Sequence, residues 1–192
     1  MKLKALRTHR AITLAQYEAA RTALERLEQA ARDYGAEDWD AIDGAARVWD
    51  ALDECIPLDQ QHRQASQELL EGAAENAEVE DLEEAVYLER ERRRLDVLYG
   101  AARDIRATFE ALSTALREQG VSARAADEAG AEAIELAQNA DSAAELSTEM
   151  TARLAEIDLA IATREAIDRF LARSPRDDRD DAEQRIQELV FE

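Results

Sequence analysis

The fold this sequence predicts is all-α, an elongated helical bundle built on a long antiparallel coiled-coil hairpin, with two N-terminal helices and a short C-terminal helix. Three observations carry that prediction. Apolar residues recur in steps of three and four along almost the whole of the 192-residue chain. Ala, Glu, Arg, Leu and Asp dominate the composition, which is the signature of long or coiled helices. Two prolines and six glycines leave few places to turn. With 5% aromatic residues, Ala-rich helices cannot fill a thick globular core, and elongated packing suits them better.

The first helix is expected from about residue 3 to 34. Leu3, Leu6, Arg10, Thr13, Tyr17, Ala20, Leu24, Leu27, Ala31 and Tyr34 form a heptad ladder with two polar rungs, Arg10 and Thr13. Gly35 is the stop, because glycine takes the left-handed conformation that closes a helix. Asp38 caps a second, shorter helix. Trp39, Ile42, Ala46, Trp49 and Ile56 put the most strongly apolar stripe of the chain on one of its faces.

Pro57 ends that helix or opens the next at its first position, where a missing N–H costs little. No proline intervenes from there to Gln119, and Leu95, Leu98, Ala102, Ile105, Phe109, Leu112 and Leu116 keep a strict heptad. Unbroken over 58–119, this third helix extends ~93 Å. Its weak point is residues 72–81, where the apolar pattern thins.

Gly120 and Val121 make a tight connection, and Ser122 caps a fourth helix expected to run to about residue 173. Its ladder is Leu136, Ala140, Ala143, Ser147, Met150, Leu154, Ile157, Ile161, Arg164, Asp168 and Leu171. Folded back on the third helix, facing residues have numbers summing to about 241, since both rise equally per residue. That register sets Leu112 against Ala129, Ile105 against Leu136, Leu98 against Ala143, Leu88 near Leu154 and Leu70 against Leu171. Large side chains thus oppose alanine, which lets backbones approach closely. Ser174, Pro175, Arg176 and Asp177 open a last helix carrying Ala182, Ile186, Leu189 and Val190, with Phe191 at its end. The organisation is therefore N-terminal helices over 1–57, the hairpin over 58–173 and a capping or docking helix over 174–192, in one continuous domain.

Charge is the second strong signal. Asp and Glu number 44 against 24 Lys and Arg, for a formal net charge of -20. Like charges brought together on folding repel, and molar salt shortens the range of that repulsion to ~3 Å, so the sequence points to adaptation to high salt. Residues 1–34 run against this trend, with seven basic residues (Lys2, Lys4, Arg7, Arg10, Arg21, Arg26, Arg32) and four acidic ones. The plainer reading packs this helix on its own acidic body. The functional one lets Lys2, Lys4, Arg7 and Arg10 meet an acidic partner or a membrane surface. A second basic cluster, residues 89–95, has Glu89 and Arg93 one turn apart, which favours intrahelical pairs.

Motifs of catalysis are missing from the sequence. His9 and His62 are the only histidines, and Leu6 and Asp59 stand where a di-iron bundle needs Glu three residues before each. Zinc sites fail for want of Cys and His, since Cys55 is alone, and no glycine-rich phosphate loop is present. No cofactor or metal is expected, and carboxylate pairs follow from composition as solvated helix faces. Direct nucleic-acid binding is disfavoured by the net charge. A lone cysteine, an N-terminal apolar run broken by Gln16 and Glu18, and no apolar run of ~18 residues predict a cytoplasmic protein, or a virion part assembled there, without signal peptide or transmembrane segment.

The function expected is non-enzymatic: a helical building block, connector or scaffold of a larger homo- or hetero-oligomeric assembly, with a virion component as one instance. Its partner-binding residues are read as Lys2, Lys4, Arg7, Arg10, Trp39, Trp49 and Phe191. Two alternatives compete. The basic N-terminus ahead of a helical hairpin gives a layout similar to that of ESCRT-III and PspA-like membrane-remodelling filaments, an analogy of layout with no motif behind it. The acid excess also suits a nucleic-acid mimic that occupies a basic site on a DNA-binding protein.

Overall fold

The first helix, not the hairpin, organises the bundle. A computed structural model describes residues 2–35, 38–54, 64, 67–68, 71 and 79–173, and these are helix and turn with no strand. The helices are α1 (Leu3–Asp33), α2 (Asp38–Glu54), α3 (Val79–Glu118), α4 (Ala123–Asn139) and α5 (Ala143–Arg173). Residues 64, 67, 68 and 71 are helical and exposed, with Gln64 donating to Glu68 and Gln67 to Glu71.

Local chemistry sets the helix ends. Gly35 has φ 78° and its N–H donates to the Arg32 carbonyl. Gly120, at φ 85°, donates to the Arg117 carbonyl at 2.9 Å, while Val121 N–H reaches Leu116 O at 3.0 Å. This is the paired bonding that closes a helix around a left-handed residue, with Val121 packed on the core beside it. Ser122 Oγ then accepts Ala125 N–H and starts α4.

α1 touches each of the other four helices named here. Arg26 pairs with Asp104, and the Tyr34 hydroxyl donates to Glu91, so α3 runs antiparallel to α1. Gln16 donates to the Ala129 carbonyl and to Glu132, and Glu28 meets the start of α5, so α4 runs parallel to it. Tyr17 donates to Ser147 and Arg10 pairs with Asp158, so α5 returns antiparallel along α1. α2 packs on α1 and α3, its Gly44 lying beside Tyr34 and Leu98.

Small residues make this crowding feasible. Ala19, Ala20, Ala23 and Ala30 of α1 are buried with Leu24 and Leu27, and four alanines of α4 (126, 129, 133, 137) meet them. Leu98, Ile105, Phe109, Leu112 and Leu116 of α3, Val48 of α2 and Met150 of α5 supply the bulk. Of the two polar rungs of α1, Thr13 is fully buried and Arg10 is tied to Asp158.

The expected fourth helix is corrected to two. α3 and α4 do fold back around Gly120, with Ser113 Oγ donating to Ala126 O and Arg117 paired with Asp127. The helix then ends at Asn139, Ala140 is extended (φ -88°, ψ 132°), and Ser142 Oγ accepts Glu145 N–H at 3.1 Å to start α5. Glu28 of α1 accepts Ala143 N–H at 3.0 Å, satisfying another of the bare donors at that start. A serine and a carboxylate together hold the break. Beyond it α5 follows α1 instead of α3, so Leu154 lies near residue 14 of α1 while Leu88 lies past Tyr34, on the order of 30 Å away. Several expectations fall outside the described residues: continuity of the third helix over 72–78, the side chains of Trp39 and Ile42, residues Cys55, Ile56, His62 and Leu70, and the last helix with Phe191.

Candidate interaction surface

The basic start of α1 is only partly open. Lys2 and Lys4 are exposed, whereas Arg7 Nη2 donates to Glu165 Oε1 at 2.7 Å and Arg10 makes a forked pair with both carboxylate oxygens of Asp158. Arg10 holds the Asp158 carboxyl below its ordinary range, and the guanidinium is raised in turn. Two of the four cations read as partner-binding therefore join α1 to α5. Trp49 is half-buried against the core, the Trp39 side chain lies outside the described residues, and so does Phe191.

The second basic cluster is mostly paired within α3, with one arginine reaching out of it. Glu89 accepts from Arg92 at 2.8 Å and from Arg93 at 3.0 Å, which lowers its carboxyl to about 2. Arg94 lies 5.4 Å and Arg47 5.9 Å from the centre of the Tyr34 ring. Burial, with the Glu91 carboxylate next to it, raises the Tyr34 phenol. Arg94 and Glu91 of this run, with Arg47 of α2, thus meet Tyr34 where α1, α2 and α3 come together, while Arg92 and Arg93 pair within α3.

The least expected surface is on α5. Its inner face buries Ala143, Leu146, Met150 and Ile157. Two residues along, which is about 200° around a helix, a second heptad stripe points outward: Thr148, Ala152, Ala155, Leu159, Ala162, Ala166 and Phe170, every one exposed. Leu159 is 69% and Phe170 57% exposed. Glu145, Glu149 and Glu156 line one border of this stripe and make no ion pair among the described residues. Sequence reasoning followed the inner ladder and stopped, although the same count shifted by two would have found the outer one.

Two open clefts complete the surface. One of about 420 Å³ lies where Leu3, Lys4 and Arg7 meet Gln119 and Val121, and the other, of about 560 Å³, runs between α3 and α4 beside Leu52. Among the described residues no group of three or more His, Cys, Asp and Glu could hold a metal ion, and no helix is long and apolar enough to cross a membrane. No known protein family, curated protein or solved structure matches this chain.

Proposed function

We propose that this chain is a non-enzymatic structural and interaction protein, a helical building block, connector or scaffold of a larger homo- or hetero-oligomeric assembly, adapted to high salt. The observation that carries this reading is the outward stripe of α5. Among the described residues α5 packs chiefly on α1, yet it is apolar on two opposite faces, and Leu159 of the outer one is exposed. Val86 and Tyr87 of α3 add a smaller exposed patch, at 53% and 65%.

The membrane-filament reading has less support. Arg7 and Arg10 are engaged with Glu165 and Asp158, which leaves Lys2 and Lys4 as the outward cations of the first turns. Light scattering behind size exclusion, in molar salt and at rising concentration, tests the assembly reading. Self-association, or a stable complex recovered from the source cell that Leu159→Glu disrupts, is the expected result. A compact monomer that takes no partner under any of these conditions would remove it.

A further inference from the structure

We propose that α1 also receives α5 from a second copy of this chain, the break after Asn139 straightening so that α4 and α5 form one helix and two copies exchange α5. The inference rests on the assembly reading and names the partner. Its ground is a single heptad frame that runs across a broken helix. Ala126, Ala129 and Ala133 of α4 and Ala143, Met150 and Ile157 of α5 are all buried. All six fall on one count of threes and fours, which passes between and beyond them through half-buried Leu136, Ala140, Ser147 and Leu154. A turn that reverses the chain resets the phase of the helix that follows, so the observed break has no use for a shared frame. A straight helix from Ala123 to Arg173, ~77 Å long, puts both buried faces in one line.

The residues at the break resist straightening only weakly. No glycine or proline stands from residue 131 to 174, and the connection is Ala140, Asp141 and Ser142, the first of them the best helix former. Two bonds hold the turn, Ser142 Oγ to Glu145 N–H and Glu28 to Ala143 N–H. Straightening gives up both and carries α5 off its own α1, because α4 runs parallel to α1 and α5 antiparallel. Among the described residues α5 packs chiefly on α1, so one surface has to be recovered. The bared face of α1 carries Arg7, Arg10 and Tyr17, and the helix that fits it is α5 itself, with Glu165, Asp158 and Ser147 in register. A second copy brings that helix with every contact already matched, and a twofold axis lets each copy do the same, which closes the pair. A net charge of -20 on each copy opposes their approach, so exchange belongs to high salt.

The test uses the full chain with Cys55→Ser, one batch carrying Arg7→Cys and a second carrying Glu165→Cys. The two are refolded together at rising concentration in about 1 M sodium chloride and treated with a short bismaleimide. Positions 7 and 165 meet within a closed chain, so a link between the two batches requires that α5 has changed partners. Linked dimer should form with a yield that rises with concentration and far exceeds that of either batch refolded alone. Sedimentation equilibrium then reads the dimerisation constant. Ser142→Ala should raise it at least tenfold, since the cap is present only in the closed form of each copy. Ala140→Gly should lower it at least tenfold, since glycine penalises only the straight helix. Circular dichroism melts check that both variants are folded.

The opposite signs separate exchange from mere loosening of the fold, which would move both variants the same way. No link between the batches up to about 1 mM, or a dimerisation constant that both substitutions leave unchanged, overturns the proposal. So does a dimer in which 7 and 165 stay linked within each chain, since the copies then meet by another face. In that last case the building-block reading survives; a chain that neither dimerises nor takes any partner loses both.

Discussion

A Cβ placed on Gly130 of α4 would stand 2.9 Å from Ser113 Oγ of α3, the hydroxyl that donates to the Ala126 carbonyl. Gly130→Ala therefore sets a helix-propensity gain of about 1 kcal/mol against a displaced hydroxyl and its hydrogen bond, worth about as much. Chemical denaturation should find the single change near neutral, while the same change in a Ser113→Ala background should stabilise by about 1 kcal/mol relative to that background. Glu89 gives a pH test. Its folded carboxyl is lowered to about 2 from an ordinary 4.5, so its stabilising contribution is complete above the ordinary value and drains away as pH falls toward 2. A carbon-detected titration should place the Glu89 midpoint near 2, with Arg92→Gln or Arg93→Gln moving it upward. The Glu89 and Arg93 spacing was legible in the sequence, being local. Buried Gln16 was not, because its bonds to Ala129 and Glu132 span more than a hundred residues.

At the scale of helices, the break after Asn139 decides where everything beyond it goes. Ser142 and Glu145 are a readable start signal, a serine with a glutamate three residues on. The heptad ladder runs on through Ala140 and Ala143 without a missed beat, so periodicity argues for one helix where capping argues for two. Capping prevailed because a side chain from elsewhere, Glu28, adds its acceptor at the same spot. Ser142→Ala should cost about 1 kcal/mol and Glu28→Ala a similar amount, both from denaturant melts. Glu28→Gln should recover part of that loss, since an amide oxygen still accepts the Ala143 N–H without the charge. If both alanine variants melt as the unaltered protein does, the break has another cause.

For the molecule as a whole, the acid excess predicts a stability that depends on salt. A chain of net charge -20 should melt progressively higher between 0.1 and 2 M sodium chloride, followed by circular dichroism at 222 nm; a flat response would argue against salt adaptation. The helical character was legible from periodicity alone, because every segment obeys the same spacing. The central place of α1 was not. Its ladder names one seam, whereas its burial also takes in Gln16, Ala19, Ala23 and Ala30 beside that seam, where the other described helices meet it. Alanine fits a close helix pair as well as a crowded centre, so the residue that fills this core gives the least sign of which it serves.

That centre has a consequence for the newborn chain. α1 is synthesised before α5, and its contacts with α5 join residues 148 and 158 positions apart. At translation rates of about 5–20 residues per second, the alanine face of α1 waits on the order of ten seconds for its last neighbour. Over that interval the face of α1 that α5 later covers stays open to solvent. A bundle made of helices thereby takes on the late, long-range closure more familiar from sheet proteins.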